Sequence, residues 1–220
     1  MIVPALRFLD GFPQHNPHHD FDVWEHTIRA VSAARPDEDV RLALLFHDIA
    51  KPVTISTDKN GIDHFYGHAE IGADLTQEIL QKLRFDRRTM DMIVRLVKMH
   101  DGELPTNVGR IRRLISSAGA ETVSNLFSVK IGDALGQRLF PDLNKTKRLR
   151  DLRHRYDEIL HSAPVFSVKD LAISGDDLIA LGMQPGPSMG KLLHQMLQEI
   201  MDEKLENTRC ALLQYATQKG

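Results

Sequence analysis

Cysteine is nearly absent: Cys210 stands alone in 220 residues. A lone thiol cannot close an internal disulfide, which fits a reducing compartment and a cytoplasmic location. Long apolar runs are missing as well. The longest clean one, Leu42 to Phe46, is far short of the roughly 20 residues that a membrane helix needs. Met1 to Phe12 carries Pro4, Arg7 and Asp10 and no extended apolar core. That segment reads as a packed strand or short helix, not as a signal peptide. Charge of one sign is not in excess. Lys and Arg number 28 against 30 Asp and Glu, so no global basic field draws the chain toward nucleic acid or an anionic membrane. Nor is there a repeat of fixed period or a low-complexity tract. With 42% hydrophobic and 26% charged residues, the composition is that of a folded globular chain.

Histidine is what the sequence has in plenty. Eight of the 11 fall in the first half: His15, His18, His19, His26, His47, His64, His68 and His100. Histidine is the commonest metal ligand and the main proton carrier near neutral pH, so the chemistry is expected in that half.

The pattern predicts an all-α fold. Phe21 to Ala34 has apolar residues at helical spacing, with Asp20 or Asp22 as its cap. Glu38 to Lys51 is predicted as a second helix, stopped by Pro52. Asn60-Gly61 lies between β-prone stretches, Val53 to Ile55 and Ile62 to Phe65, and predicts a small hairpin flap. Helices follow at His68 to Arg84, Thr89 to His100, Val108 to Ser117, Glu121 to Gly136, Leu143 to His161, Ser174 to Leu181, Ser188 to Leu205 and Asn207 to Gln218. Breaks are expected at Gly119, Pro141, Pro164, Gly182 and Pro185 to Pro187. A soft boundary near Gly136 to Pro141 divides the chain into residues 1–138 and a helical extension, 139–220.

Spacing brings the histidines together. Two antiparallel helices joined by a break near position 36 set His26 abreast of Phe46 and His47. The next helical hairpin, broken near Phe85, brings His100 and Asp101 within one turn of His68. If the hairpins pack face to face, His26, His47, Asp48 and Asp101 surround one point, with His68 and His100 at its edge. A lone histidine on an apolar helix face is more often a satisfied core residue. Four ligand types at matched depth favour a metal. A buried, unpaired Asp48 beside Leu44, Leu45 and Phe46 would cost several kcal/mol, and a cation removes that cost.

Imidazole and carboxylate without thiolate suit Mn, Fe, Co, Ni or Zn, with Mg also open, better than a structural zinc site. Such a site keeps positions for water and substrate, and its water would serve as nucleophile. Lys51 follows Asp48 by three residues on the same face, where its charge can hold a phosphate oxygen; alone, it would read as a solvated lysine at a helix end. Arg29, three residues after His26, is a weaker substrate-binding candidate. The neighbourhood of His19 is expected to shape substrate choice. His47, Asp48, Lys51, His68 and His100 are the expected catalytic set. His68 and His100 either complete a second metal position or stay free to protonate the leaving oxygen and bind phosphate. With two carboxylates available, one tight ion is expected.

These residues resemble the His…His-Asp…Asp pattern of the HD superfamily of metal-dependent phosphohydrolases. They stand here as His26 in Trp-Glu-His-Thr, His47-Asp48 in Leu-Phe-His-Asp-Ile-Ala-Lys and Asp101 in Lys-Met-His-Asp. The resemblance implies an HD-domain helical bundle, a divalent metal and hydrolysis of phosphate esters, often of nucleotides. Nearly the whole chain is also similar to the HD-containing C-terminal portion of bacterial CCA-adding enzymes. Phe21 to Thr27, Ile173 to Pro187, Gly190 and Asn207-Thr208-Arg209 carry that likeness. In those enzymes it implies a tail that helps hold tRNA. Their catalytic head is not expected in this sequence: no glycine-rich turn is followed by an Asp-x-Asp pair. Gly175-Asp176-Asp177 reads as a helix cap after Ser174.

Two functions follow as expectations. One is a phosphohydrolase acting on a nucleotide-type phosphomonoester or 2′,3′-cyclic phosphodiester, the cyclic substrate being implied by the resemblance alone. The other is a headless relative that grips tRNA or a partner chain. For the latter, Lys145, Lys147, Arg148, Arg150, Arg153 and Arg155 form a basic run that could meet phosphates. It lacks aromatic interleaving and has Asp151, Asp157 and Glu158 nearby, so a solvated helix face is the plainer reading.

Overall fold

The computed structural model describes residues 2–17, 19–162 and 165–219. His18 and the break expected at Pro164 lie outside the described residues. The fold is all-α with one small hairpin, as the periodicity predicts. The described residues form two compact units: residues 1–103 with 121–153, and residues 104–120 with 154–220.

The first unit opens with a 3-10 helix, Pro4–Leu9. Helix α1 (Val23–Ala33) is capped by Asp22, whose carboxylate accepts from the Glu25 N–H at 2.7 Å. Asp37 caps α2 (Glu38–Phe46) in the same way. This second helix ends earlier than Lys51. An unbroken helix would need a donor on residue 52 for the Asp48 carbonyl, and Pro52 has none; its ring would also clash there. The chain instead tightens into turns, Ile49 N–H to Phe46 O at 3.1 Å and Lys51 N–H to Asp48 O at 3.0 Å. It then enters the one-turn helix α3 (Lys51–Thr54), with Pro52 in the first turn, where proline is tolerated.

Val53 therefore lies in α3 and not in a strand. The hairpin is shorter than predicted: β1 (Ser56–Thr57) pairs antiparallel with β2 (Asp63–His64), Thr57 opposite Asp63. Asp58 closes its turn by accepting from the N–H groups of Asn60 and Ile62. Helices α4 (His68–Lys82) and α5 (Arg87–Met99) form the next helical hairpin, with Asp86 capping α5.

Helix α7 (Ala120–Gly136) packs unusually close to α1 and α2. A Cβ on Gly132 would meet Leu44 Cδ1 at 2.8 Å; one on Gly136 would meet the Ala30 backbone N at 2.7 Å. Only glycine allows that approach, and it presses the residue between them, Asp133, toward α1. Leu44, Phe46, Leu80, Ile93, Leu96, Leu126 and Phe127 are buried in this unit.

Helix α8 (Leu143–His161) leads into the second unit. That unit contains α6 (Val108–Ala118), a 3-10 turn at Val168–Asp170, α9 (Gly175–Ala180), α10 (Pro187–Met201) and α11 (Arg209–Lys219). Leu178, Leu192, Met196, Met201 and Leu212 are buried in its core. Ser174 and Asp177 form the expected capping box of α9. Asn207 ties its loop down by accepting from Ala172 N–H and donating to Asp170 O. Among the described residues, no helix is long and apolar enough to cross a membrane.

Candidate metal centre

The antiparallel arithmetic holds at both helical hairpins. His26 on α1 meets His47, at the end of α2, with the Nε2 atoms 3.0 Å apart. His68 on α4 meets His100, at the end of α5, with the Nε2 atoms 3.1 Å apart. All four imidazoles are buried.

Asp48 lies between the pairs and is buried too. Its Oδ2 faces the first pair, 3.4 Å from His26 Nε2 and 3.1 Å from His47 Nε2. Its Oδ1 faces the second, 3.5 Å from His68 Nε2 and 3.8 Å from His100 Nε2. Two ligand triads thus share one carboxylate: His26, His47 and Asp48, and Asp48, His68 and His100.

Sequence reasoning missed one member and misplaced another. The further carboxylate at the first pair is Asp133, whose Oδ1 lies 3.2 Å from His26 Nε2 and 3.7 Å from His47 Nε2. Asp101 lines the same cavity but is exposed and belongs to neither triad. It follows the last turn of α5, so its side chain diverges from that of His100. The signal for Asp133 was the Gly-Asp-x-x-Gly spacing of α7. It becomes legible only once the close approach of α7 to α1 is known.

The outer ring nitrogens fix which way the lone pairs point. A carbonyl oxygen only accepts, so Nδ1 of His47, His68 and His100 must carry the proton it shares with Leu44 O (2.7 Å), Phe65 O (2.7 Å) and Val97 O (2.6 Å). In the neutral rings, Nε2 then turns a lone pair toward Asp48. Two such lone pairs face each other across 3.1 Å at His68 and His100, an arrangement that calls for a cation between or beside them. The buried Asp48 Oδ2 is placed to serve as a ligand beside them. It stands 2.8 Å from Lys51 Nζ, and among the described residues no donor reaches it with hydrogen-bond alignment. Chemically, the donor set fits a divalent metal with mixed nitrogen and oxygen ligands.

The pairs differ electrostatically. At His47, burial opposes the charged form, but the negative charge of Asp48, with that of Asp133 beside it, outweighs burial and pushes the pKa up to about 10. His26 is raised for the same reasons. Asp48 and Asp133 are held well below the usual carboxylate range, because the cations around them outweigh their burial. His100 goes the other way: burial, then the charge on His47, lower it to about 4.

Lys51, the predicted phosphate group, is buried on the cavity wall. Its Nζ donates to Gln14 Oε1 at 2.6 Å and lies over the Phe65 ring. His19 lines the cavity as well and is kept neutral, its pKa lowered to about 3 by burial and by Lys51. Arg29 does not reach the cavity. It bonds Glu25 at 2.9 Å and covers the Phe21 ring on the outer face of α1. The cavity itself, about 290 Å³, is lined by His47, Asp48, His68, His100 and Asp133, by Lys51 and by His64, Phe65 and Tyr66 of the flap.

A family model described as tRNA nucleotidyltransferase domain 2 matches residues 54–216. The chain is 31% identical over 205 residues to the CC-adding tRNA nucleotidyltransferase of Thermus thermophilus, covering 90% of this chain and 45% of that enzyme. It is also 31% identical over 207 residues to the A-adding tRNA nucleotidyltransferase of Deinococcus radiodurans, covering 90% and 46%. A CCA-adding enzyme of Lacticaseibacillus paracasei is 29% identical over 141 residues, 62% of this chain and 33% of that enzyme. The chain spans about half the length of the first two relatives. On the extent of the family match, the chain belongs to the tRNA nucleotidyltransferase domain 2 family.

Proposed function

We propose that this chain is a metal-dependent phosphohydrolase of the HD type, acting on a nucleotide-type phosphomonoester or 2′,3′-cyclic phosphodiester. The observation that supports it most is the convergence of four imidazole Nε2 atoms on Asp48, three of them oriented by a backbone carbonyl behind the ring. His26, His47, Asp48 and Asp133 would hold one ion. His68 and His100, with Asp48 shared, would hold a second more weakly, because among the described residues no further carboxylate pairs with them.

When bound, a divalent ion supplies a water acidic enough to act at neutral pH and offsets charge on the phosphate. The chain's own residues do the rest. Lys51, itself buried on the cavity wall, presents a positive charge to a phosphate oxygen. Asp48 and Asp133 hold negative charge beside the imidazoles and would offset part of the charge of a bound ion. Phe65 and Val97 carbonyls keep the His68 and His100 rings from turning over.

The test is hydrolysis of adenosine 2′,3′-cyclic phosphate and adenosine 3′-phosphate with Mn²⁺, with and without chelator. Turnover should vanish on chelation. Asp48→Asn should remove both metal and turnover while the far-ultraviolet circular dichroism of the helices is kept. Full turnover by a folded, metal-free Asp48→Asn protein would overturn the proposal.

A second reading is favoured by the comparisons, in which the relatives are named for adding nucleotides to tRNA: the chain binds RNA without reacting. Lys145, Lys147, Arg148, Arg150 and Arg155 are exposed on α8, while Arg153 turns inward to Ser124 and Ser128 at 3.3 Å. Salt-dependent retention of tRNA by the purified chain, lost when these exposed cations are reversed, supports that reading. It is compatible with the first.

A further inference from the structure

We propose that Tyr66 is the platform on which the substrate's nucleobase stacks, so that the site selects phosphates that carry a base next to the reacting phosphate. The proposal rests on the hydrolase reading of the cavity and names its substrate class. Tyr66 is a large aromatic residue left 77% exposed, yet it is not on an idle surface: it lines the cavity that contains His47, Asp48, Lys51, His68 and His100. Its ring lies parallel to the His64 ring, with centroids 5.4 Å apart and planes 6° from each other. One face is thereby covered, while the ring's exposure leaves room for a third flat ring.

The platform is held from both sides. His64 is tied to Asp58 at 3.2 Å, and Asp58 also closes the hairpin turn. Asp63, next to His64, is buried and accepts from Thr57 Oγ1 at 2.7 Å and from the His15 N–H at 2.9 Å. On the other side of Tyr66, Gly67 takes φ 75° and starts α4, and the Phe65 carbonyl orients His68. Tyr66 thus sits two residues before His68, a metal-ligand candidate, so only a short stretch of chain separates it from the reacting centre.

The cavity size gives the same assignment. About 290 Å³ is at the low end of the range for small-molecule sites, roughly 300–1,000 Å³. It takes a phosphate and its sugar and leaves a base at the rim, where Tyr66 stands. Every base has a flat face, so such a platform binds bases with little regard to sequence and contributes on the order of tenfold or more in affinity.

The test compares binding by calorimetry in the presence of Mn²⁺. The ligands are adenosine 3′-phosphate, glycerol phosphate, and a short single-stranded RNA ending in a 3′-phosphate. The wild type should bind adenosine 3′-phosphate at least tenfold more tightly than glycerol phosphate. In Tyr66→Ala that ratio should fall to near one, and Tyr66→Phe should restore it. Stronger binding of the RNA than of the mononucleotide, with the same dependence on Tyr66, assigns the platform to a strand end; equal binding assigns it to a free nucleotide. An unchanged ratio in Tyr66→Ala, a ratio near one in the wild type, or binding of none of the ligands overturns the proposal. Base-selective binding without any hydrolysis keeps the platform and removes the hydrolase reading; hydrolysis indifferent to the base does the reverse.

Discussion

The two imidazole pairs look alike in the backbone and differ in charge. Both join a helix to its antiparallel neighbour, and in both the Nε2 atoms meet at about hydrogen-bond distance. His26 and His47 have two carboxylates, Asp48 Oδ2 and Asp133 Oδ1. Among the described residues, His68 and His100 have only the far oxygen of the shared Asp48. The first pair therefore holds protons strongly when no metal competes, and the second contains a histidine held neutral. The general lesson is that histidine geometry alone does not rank two sites. Carboxylate supply does, and here it predicts one tight ion and one loose one.

The comparison breaks most severely at Asp133. Asp133→Asn should lose the tight ion and at least 100-fold in turnover, whereas Asp101→Asn should keep the ion; metal content by mass spectrometry separates them. An Asp101→Asn protein that loses metal while Asp133→Asn keeps it would reverse the assignment. Next in size, His68→Ala should lower turnover roughly 10- to 100-fold and leave the tight ion in place. One equivalent of tightly held metal lost on this substitution would make the two pairs equal.

The pH dependence of the chelated protein sharpens the contrast. His26 and His47 are raised, so the stability they contribute is complete below about pH 6.5 and is lost as pH rises, for His47 through about 10. His100 and His19 are lowered to about 4 and about 3, so the unfolded chain binds their protons more readily and stability falls as pH drops below about 6.5. The melting temperature under chelator should peak near pH 6.5 and fall toward pH 9. Saturating Mn²⁺ should flatten the alkaline side, because the metal has already displaced those protons. A chelated protein that grows steadily more stable from pH 6.5 to 9 would contradict this picture.

The smallest effect concerns packing. Gly136→Ala puts a methyl group 2.7 Å from the Ala30 nitrogen and should cost about 1–3 kcal/mol in denaturant unfolding. Because α7 must back away, tight-site metal affinity should drop as well. Gly119→Ala, at φ 87° with open space around it, should cost stability through strain but leave the metal affinity intact.

The elements of the fold were legible because their signals are local: Asp22 and Ser174 at helix starts, Asn60-Gly61 in the hairpin, Pro52 at a stop. Four of the imidazoles were legible too, since antiparallel helices joined by short breaks place residues by counting. Asp133 was not. Its position depends on how deeply α7 sinks against α1, which is set by two missing side chains, Gly132 and Gly136, and by partners about 100 residues away. Asp101 was placed by the same counting as His100, but the chain leaves α5 there and the residue is exposed, outside both triads. Arg29 follows His26 by almost one turn, yet the pull of Glu25 and the Phe21 ring takes it to the outer face.

The ligands of the proposed tight site run from His26 to Asp133, more than a hundred residues of chain, and come from α1, the turn after α2, and α7. Such a constellation cannot exist in a partly folded chain: the loops between its members must close first, at an entropic cost that grows with their length. An ion bound there would thus recognise only the finished unit. Binding of that kind stabilises the folded state by mass action. If the folding transition state has yet to bring α7 home, the ion should act mainly by slowing unfolding. The site would then double as a latch, whose release by chelation opens the first unit to proteases without any change in its sequence.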